Sequence, residues 1–481
     1  MEIPRLQPCI PMQVSNEELQ NIIDKAKDWA LLHGVSMRSK ESFNKNQVQI
    51  LPFTLLPSSF PRKNFEKAKD IQVLLNELIH KAAHDNDFIT KSLKSTIHAD
   101  PFTAKLFEIY ETVYKEGFSQ TLSLGLLRSD YMLHENHIKQ VELNTIASSF
   151  GGIATIISQY HKYILRQLGH PSKLENIPEN NPITGLGKGL TLAWKLYNNK
   201  EAVILFVVEN ITYNICDQRF HEFEIQKLNP DIMVIRKSLT DLVSDAKLGP
   251  GKELIVGNQV VSVVYFRSGY EVEAYPTERE WSVRLLIERS RAIKCPSIHY
   301  HLAGTKKVQQ SLAYPNALNM FLKEDDAIKR IQEVFAGLYS LEFNDEGEAI
   351  IEKAMLEPKR YVLKPQREGG GHNIYNDDIK RHLGSVKSSE ERTAWILMDR
   401  LYPPVQKNYI VRAQNEPFEN HSPYFSDIVS ELGVYGVVIG DQENIIYNEE
   451  VGHILRSKPS SENEVGIAAG FGAIDSPYLI S

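Results

Sequence analysis

The chain opens with a helix-like repeat of apolar positions: Leu19, Ile22, Ile23, Ala26 and Ala30. These positions share one face of a helix. Ser15 and Glu18 fit a capping box before the repeat, and Gly34 follows it as a stop signal. The pattern therefore predicts a helix between Ser15 and Gly34, and similar repeats predict helices over 63–85 and 101–118.

Further along, the pattern of apolar positions changes from helical to strand-like. Segments 202–208, 232–235 and 260–266 are short apolar runs with helical stretches between or after them, which is typical of a parallel α/β lobe. Other predicted strands are 139–145, 361–364, 394–401, 428–440 and 444–447. Residues 168–188 are rich in Pro, Asn and Gly and are predicted to form a connecting loop.

Size and composition narrow the class of protein. A chain of 481 residues exceeds what one core usually serves, so two or three lobes are expected. The net charge of −7 argues against a general nucleic-acid partner. No apolar run is long enough for a membrane span, and no signal peptide is visible. Three widely spaced cysteines fit a reducing compartment, so we expect a cytoplasmic protein with no membrane partner.

The most informative chemistry lies just after the strand at 361–364. Lys364 ends that strand, Glu368 follows, and Gly369, Gly370 and Gly371 come next. Consecutive glycines allow backbone N–H groups to approach an anion closely. Lysine supplies charge to a phosphate, and a carboxylate suits the magnesium that accompanies it. The segment predicts a nucleoside triphosphate site, with a solvent-exposed glycine turn as the alternative interpretation.

Two polar positions in the strand 139–145 are candidate metal ligands. Glu142 and Asn144 fall on one face, with Val141 and Leu143 on the other. Oxygen donors of this kind suit magnesium. A half-buried strand with a polar outer face is the commoner explanation of such a hexamer.

Basic residues recur at the ends of predicted segments: Arg128, Arg267, Arg456 and Lys458. Paired hydrogen bonds from arginine would suit a substrate with several carboxylates, although each arginine alone is more typical of a surface. Lys306 stands where a glycine-containing loop enters a helical run, a plausible phosphate site. Zinc bound by Cys295, His299 and His301 is a weaker alternative, because no fourth ligand has suitable spacing.

Together these segments resemble the eukaryotic glutathione synthetases, a family of the ATP-grasp superfamily. The motifs that carry the resemblance lie at 128–131, 142–145, 217–219, 265–270, 302–310, 364–371, 430–433 and 452–470. The similarity extends from about residue 15 to the end of the chain. It implies a mixed α/β (α+β) ATP-grasp fold with an inserted parallel α/β substrate-binding lobe and a glycine-rich lid.

The resemblance also implies a domain division, an activity and partners. Residues 1–201 would hold the N-terminal helices and the first metal-ligand strand, 202–303 the inserted lobe, and 304–481 the nucleotide-binding part with a lid at about 338–420. The implied reaction is ATP-dependent ligation of γ-glutamylcysteine to glycine through an acyl phosphate. ATP is the co-substrate, two Mg²⁺ ions per active site are expected, and the family suggests a homodimer.

Site residues follow from the resemblance by matching motifs. The implied metal ligands are Glu142, Asn144 and Glu368. The implied catalytic residues are Lys364, Glu368 and Arg456. The implied ATP-binding residues are Glu142, Lys306, Lys364, Pro365, Gln366, Arg367, Glu368, Gly369, Gly370, Gly371, His372, Asn373, Tyr375, Met398, Asp399, Arg400, Leu401, Glu431, Lys458 and Glu464. The implied substrate-binding residues are Arg128, Ile146, Ala147, Ser148, Ser149, Thr212, Tyr213, Asn214, Gln218, Arg267, Ser268, Gly269, Tyr270, Arg456, Ile467 and Ala468.

Two points of specificity stay open. Ala147 stands where the family pattern leads us to expect serine, which would lower dipeptide affinity if the hydroxyl contacts the dipeptide. The small residues at 467–469 resemble the glycine-using enzymes, whereas relatives that use β-alanine carry a bulkier pair there. A ligase with β-alanine or serine as acceptor is one alternative, and a regulatory nucleotide-binding protein that has lost catalysis is another.

Overall fold

The computed structural model describes residues 4–11, 14–413, 425–467 and 472–481. The helices in these residues are α1 (Asn16–Leu32), α2 (Arg62–His84), α3 (Asn86–Leu93), α4 (Thr96–Ala99), α5 (Pro101–Glu116), α6 (Gly151–Gln167), α7 (Pro182–Tyr197), α8 (Ile215–Leu228), α9 (Leu239–Asp245), α10 (Glu278–Arg289), α11 (Ile298–Ala303), α12 (Lys306–Leu312), α13 (Asp325–Val334), α14 (Asp345–Leu356) and α15 (Asp377–Val386).

The strands in the same residues are β1 (Ser36–Met37), β2 (Gln49–Ile50), β3 (Phe53–Thr54), β4 (Ser58–Pro61), β5 (Ser123–His134), β6 (His137–Asn144), β7 (Val203–Val207), β8 (Val234–Lys237), β9 (Ala246–Leu248), β10 (Leu254–Val256), β11 (Gln259–Phe266), β12 (Ile293–Cys295), β13 (Leu338–Ser340), β14 (Tyr361–Pro365), β15 (Ile374–Tyr375), β16 (Trp395–Asp399), β17 (Gln406–Val411), β18 (Phe425–Gly440), β19 (Ile445–Pro459), β20 (Ala473–Asp475) and β21 (Pro477–Ile480).

The predicted helices at the start of the chain are confirmed. Ser15 caps α1, its hydroxyl accepting from Glu18 N while the Glu18 carboxylate accepts from Ser15 N. Leu19, Ile23 and Ala26 lie on the buried face. Two further predicted helices correspond to α2 and α5. Helices α2, α5 and α11 pack their apolar faces into the larger core cluster beneath the central sheet.

One large mixed sheet carries most of the chain. Thirteen strands form it, in the order β17-β3-β20-β19-β18-β5-β12-β11-β10-β9, with β6 on β5 and with β7 and β8 extending from β11. The pairs β19–β18, β18–β5 and β5–β6 are antiparallel, whereas the pairs β5–β12, β12–β11, β11–β7 and β7–β8 are parallel. The parallel pairing predicted for 202–303 is therefore present, and β12 joins it to the antiparallel half.

A second, four-stranded sheet has the order β13-β16-β14-β15 and is antiparallel. Helices α14 and α15 pack on it through a separate core cluster that includes Ile350, Leu363 and Leu383. The strand β14 ends at the glycine-rich segment, so this small sheet positions that segment.

The loop predicted for 168–188 is wrong in its second half, since α7 begins at Pro182. Proline is favourable in the first helical turn, and Ile183, Leu186 and Leu190 repeat at helical spacing. The glycines that suggested a loop allow close packing instead. A Cβ on Gly185 would lie 2.3 Å from Val451, so tertiary packing overrides the low helix propensity of glycine.

Within the described ranges, we find no helix with both the length and the apolar character that crossing a membrane requires.

Candidate active site

The site is built around β5, which lies between β6 and β18 in the large sheet. Arg128 in β5 pairs with Asn144 in β6, and Asp130 pairs with Glu142. On the next pair of strands, Glu431 in β18 lies opposite Arg456 in β19. Cross-strand neighbours face the same side of a sheet, so the register brings these charged residues together.

Lys306 joins two of the predicted metal ligands. Its Nζ lies 2.6 Å from Glu368 Oε1 and 3.3 Å from Glu142 Oε2. Thr305 caps the short helix α12 and fixes where Lys306 begins it. The Lys306 side chain is 7% exposed and the two carboxylates about a quarter exposed, so the three charges share a partly dry environment.

The electrostatics of the two carboxylates differ. Burial opposes ionisation of Glu142, but Lys306 and Lys364 outweigh it and lower the pKa of Glu142 to about 2. Burial raises the pKa of Glu368, with Glu142 adding to the rise and Lys306 opposing it. Lys306 lies within 3.3 Å of both carboxylates, so the charge of each group affects the other two. In this cluster Glu142 stays ionised.

The two lysines also have different environments. Burial favours a neutral Lys306, but Glu368 and Glu142 outweigh it and raise the pKa of Lys306. Burial lowers the pKa of Lys364, whose Nζ donates to the Val141 carbonyl at 2.9 Å. Lys364 therefore points at the backbone of the strand that carries Glu142.

A second cluster surrounds Ser149, in the turn after β6. Arg267 Nη2 donates to Ser149 Oγ at 2.7 Å, and Arg128 Nη1 donates to the Ser149 carbonyl at 3.3 Å. The turn contains two non-glycine residues with left-handed backbones, Ala147 (φ 51°) and Phe150 (φ 74°). Asp217 holds this turn, accepting from the backbone N–H of Phe150 at 2.8 Å.

The remaining predicted dipeptide residues lie around this cluster. Asn214 Nδ2 lies 3.5 Å from Asp217, which in turn is 3.9 Å from Arg267. Gln218 and Thr212 both accept from Arg236. The other four residues make hydrogen bonds within the protein. Ser148 Oγ donates to the Leu126 carbonyl, and Ser268 N donates to the Val207 carbonyl. The Tyr213 carbonyl accepts from Arg38 N, and the Gly269 carbonyl accepts from the Tyr275 hydroxyl.

A small cavity lies beside Lys306 and Glu368. Ile146 and Tyr270 line it together with Lys306, Gln366 and Glu368. Residues predicted to hold the dipeptide and residues predicted to hold the triphosphate thus border the same space.

The glycine-rich segment follows Pro365 at the end of β14. Gly369, Gly370 and Gly371 have φ values of 93°, 74° and 82°, a conformation that favours glycine. The Glu464 carboxylate accepts from Gly371 N, and from Asn373 N at 3.2 Å. Two N–H groups of the loop therefore donate to one carboxylate of the chain.

The predicted adenine and ribose residues lie on the small sheet. Tyr375 and Met398 both pair with Val362 in β14. Arg400 Nη1 donates to Asn376 at 2.6 Å and its guanidinium lies 5.7 Å from the Tyr375 ring. Asp399 accepts from Tyr339, and Leu401 is half-buried just beyond the strand. Lys458, by contrast, lies in β19 of the large sheet, and its Nζ donates to the backbone carbonyls of Glu462 and Asn463.

Some predicted residues point elsewhere. Arg367 Nη1 donates to Asp100 at 2.7 Å, so its guanidinium binds the cap of α5 instead of the Lys306 cluster. Gln366 accepts from the Lys307 N–H, and His372 is exposed. Ile467 is buried, and Ala468 lies outside the described residues.

The predicted magnesium ligands suit a hard cation by their chemistry, since Glu142, Asn144 and Glu368 offer only oxygen donors. The Asn144 Nδ2 group donates to Asp130 at 2.9 Å, so the amide oxygen is turned to the other side. In the described part of the chain, no group of three or more His, Cys, Asp or Glu residues could hold a metal ion. The zinc alternative loses its support, because His299 Nε2 is within hydrogen-bonding distance of Ser123 and Ser297.

Sequence reasoning assigned no role to several polar residues that the structure places in the site. Asp130 is fully buried beside Arg128, and Asp217 is fully buried beside Arg267. Gln309 clamps the backbone of β6, its Oε1 accepting from Leu143 N at 2.8 Å and its Nε2 donating to Leu143 O at 3.1 Å. Each of these residues lies inside a motif, at 128–131, 217–219 or 302–310. An acid or amide within each motif was therefore the signal from which a role in the site could have been predicted.

Comparison with known proteins agrees with this arrangement. The family described as eukaryotic glutathione synthase, ATP binding domain, matches residues 16–479. Glutathione synthetase of Xenopus laevis is 42% identical over 469 residues, covering 96% of this chain and 97% of the relative. Human glutathione synthetase is 40% identical over 477 residues, covering 96% and 98%. The chloroplastic glutathione synthetase of Arabidopsis thaliana is 39% identical over 479 residues, covering 97% and 87%.

Among solved structures, the apo form of a glutathione synthetase-like effector from Globodera pallida aligns with a TM-score of 0.77. It is 26% identical, and the alignment covers 97% of this chain and 98% of the effector. The mixed sheet, the small four-stranded sheet and the lysine–carboxylate cluster define a protein of the ATP-grasp class. Within that class, the chain belongs to the eukaryotic glutathione synthetase family.

Proposed function

We propose that this chain catalyses ATP-dependent ligation of γ-glutamylcysteine with glycine, giving glutathione, ADP and phosphate. The observation that carries the proposal is the meeting of Lys306 with Glu142 and Glu368, at 3.3 Å and 2.6 Å, directly below the glycine-rich loop. This arrangement has the charges that a metal-bound triphosphate requires, in a member of a family of glutathione synthetases.

The chemistry explains why so many cations are needed. A carboxylate is a poor electrophile and a poor leaving group, so ATP first phosphorylates the cysteinyl carboxylate. That step brings two anions together, and Lys306, Lys364 and Arg456 would offset their charge. The glycine amine then attacks the acyl phosphate, and inorganic phosphate leaves.

Magnesium belongs to the proposal through its candidate ligands. Glu142, Asn144 and Glu368 would hold it, with two ions per site expected from the resemblance. When bound, Mg²⁺ supplies charge neutralisation to the phosphate oxygens. Glu142 is suited to this role because Lys306 and Lys364 outweigh its burial and keep its carboxyl ionised.

The loop of Gly369, Gly370 and Gly371 is proposed to close over the phosphates. Acyl phosphates hydrolyse readily, so excluding water would protect the intermediate. Arg128, Ser149 and Arg267 would bind the dipeptide, since two buried guanidinium groups converge on one serine. Two nitrogens of Arg267, Nε and Nη1, are buried and have no hydrogen-bond partner in the described residues, as expected if a substrate carboxylate is their partner.

We also propose a cellular compartment and an oligomeric state. The three cysteines are free, which suits a cytoplasmic protein, although relatives from plants are named chloroplastic. The family resemblance supports a homodimer, which light scattering of the purified chain would test.

The test of function is direct. Purified protein is incubated with ATP, Mg²⁺, γ-glutamylcysteine and either glycine or β-alanine, and the products are weighed by mass spectrometry. We expect a tripeptide with glycine, made at least an order of magnitude faster than the β-alanine product. ADP release without tripeptide would refute the proposal. A preference for β-alanine would support the alternative of a ligase that uses β-alanine as acceptor.

A further inference from the structure

Asp130 is a fully buried carboxylate that contacts three predicted site residues. Its Oδ1 accepts from Arg128 Nε at 2.7 Å, and its Oδ2 accepts from Arg128 Nη2 at 2.9 Å. The same Oδ2 accepts from Arg456 Nη2 at 2.8 Å and from Asn144 Nδ2 at 2.9 Å. One anion therefore binds two arginines and an asparagine that lie on three different strands.

The charge of Asp130 explains how Arg128 and Arg456 can lie side by side. Both guanidinium groups are largely removed from water, and Asp130 is the counter-charge that they share, while Arg456 also pairs with Glu431. The contact with Arg128 is bidentate and fixes the plane of that guanidinium. Since Arg128 uses Nε and Nη2 on Asp130, its Nη1 is left to point at Ser149.

Asp130 also settles the orientation of the Asn144 amide. Asn144 Nδ2 donates both to Asp130 and to the Arg128 carbonyl, at 2.9 Å and 3.3 Å. A flipped amide would place Oδ1 against those two acceptors, which is electrostatically unfavourable. The amide oxygen is therefore held on the opposite side, where it is available to a cation.

The backbone around Asp130 is shaped for this contact. Gly433 lies opposite Asp130 in the β5–β18 register. A Cβ at Gly433 would lie 2.7 Å from Asp130 Oδ1 and 2.9 Å from Arg128 Cδ. A side chain at this position would push the carboxylate away from its arginines.

We propose that Asp130 is a positioning residue for the ligase reaction, an inference that rests on the proposed function. It aligns Arg128 and Arg456 on the dipeptide side and the Asn144 oxygen on the magnesium side through a single carboxylate. Asp130 itself contacts no reacting atom. It acts through the three side chains that it holds.

The test uses Asp130→Asn in the full-length protein. The substituted amide has no charge and keeps only one acceptor oxygen for three donor residues, so we expect the dipeptide KM and the half-saturating Mg²⁺ concentration each to rise roughly 10–100-fold. Binding of Mn²⁺ at a fixed nucleotide concentration should weaken to a similar degree. The electron paramagnetic resonance signal of free Mn²⁺ measures this binding, which does not depend on turnover. A purely structural role would lower the melting temperature and the active fraction without moving these two constants.

Two further variants keep the test decisive. Gly433→Ala retains every charge but displaces the carboxylate, so a smaller rise in the same constants is expected even if Asp130→Asn folds poorly. Glu288→Gln is the matched control, because Glu288 is another fully buried acid, bonded to Arg284 at 2.9 Å, outside the predicted site. It should leave both constants unchanged.

The outcomes separate the two proposals. A wild-type protein that forms no tripeptide refutes the proposed function. The positioning role alone is refuted if the wild type forms the tripeptide but neither Asp130→Asn nor Gly433→Ala changes the Mg²⁺ dependence, the Mn²⁺ binding or the dipeptide KM.

Discussion

Lys306 donates to Glu368 across 2.6 Å, although 62 positions separate them in the chain. The lysine begins helix α12 beside the large sheet, whereas the glutamate follows β14 of the small sheet. This ion pair therefore links the two sheets at the point where the glycine-rich segment begins. Glu142, 3.3 Å from the same nitrogen, makes it a cluster of two anions around one buried cation.

The first prediction concerns Lys306→Met. Removing the ammonium leaves two neighbouring carboxylates without their shared counter-charge, and breaking a fully buried pair costs roughly 3–5 kcal/mol. Because these carboxylates are about a quarter exposed, we expect the free energy of unfolding to fall by about 2–4 kcal/mol. Urea unfolding measures it.

Added Mg²⁺ should restore more stability to Lys306→Met than to the wild type, since the freed carboxylates attract a cation more strongly. Lys105→Met is the control, because Lys105 pairs with Glu278 on the exposed surface and exposed pairs contribute about 0–1 kcal/mol. Equal unfolding free energies in Lys306→Met and wild type would show that the cluster is not a stabilising unit.

The second prediction concerns Glu368→Gln. If the carboxylate holds magnesium, turnover should fall by roughly two orders of magnitude or more, because a charged ligand becomes neutral while its shape is kept. ADP release and tripeptide formation measure turnover, and circular dichroism checks the fold. Glu346→Gln, in the exposed first turn of α14, should retain full activity. Near-normal turnover in Glu368→Gln would remove this residue from the metal site.

Local patterns in the sequence predicted most elements of the fold. The capping box and apolar repeat located α1, and alternation located β6, because both signals depend only on neighbours in the chain. The register that sets Asp130 opposite Gly433 could not be predicted, since it pairs segments about 300 positions apart. Strands β9 and β10 at the sheet edge were missed for a different reason: they pair locally, but each has only three residues, too few to show a strand pattern.

For the candidate site, motifs identified residues but not directions. Lys306, Glu142 and Glu368 come from three motifs and the structure brings them together. Arg367 lies within the same motif as Glu368, yet its side chain pairs with Asp100. The direction of a side chain depends on which partner tertiary packing places within reach, and a motif does not contain that information. The roles assigned to these residues stay predictions.

The third prediction concerns Glu464 and the glycine-rich loop. Its carboxylate accepts backbone N–H groups from Gly371 and Asn373, and such charge-assisted bonds contribute about 1.5–3 kcal/mol. Glu464→Gln keeps the shape but weakens both bonds. We expect amide hydrogen exchange across 369–373 to accelerate about 5–50-fold, as read by mass spectrometry without nucleotide.

Glu462→Gln is the control for this loop, because the hydrogen bonds of Glu462 within the described residues come from its backbone: its N–H donates to the Pro459 carbonyl, and its carbonyl accepts from Lys458. Its exchange pattern should match the wild type. Unchanged protection of 369–373 in Glu464→Gln would mean that the loop is held by other contacts.

The fourth prediction concerns acid stability and His453. This side chain is buried in β19 against Phe65, and neither ring nitrogen has a hydrogen-bond partner in the described residues. Burial, with a smaller contribution from Lys69, lowers the pKa of His453 to about 3. The unfolded chain protonates its histidine near pH 6.5, so it binds more protons than the folded chain between about pH 6.5 and 3. Stability must therefore fall as the pH drops through this window.

His453→Leu should remove that contribution and flatten the dependence of stability on pH. The change in slope is about 1.4 kcal/mol per pH unit, or about 2–3 kcal/mol between pH 6.5 and 4.5. Urea unfolding at several pH values measures the slope, which does not depend on any constant change in packing. His137→Leu, at an exposed position of β6, should leave the slope unaltered. Parallel curves for His453→Leu and wild type would mean that His453 gains a proton in the folded state, against the effect of its burial.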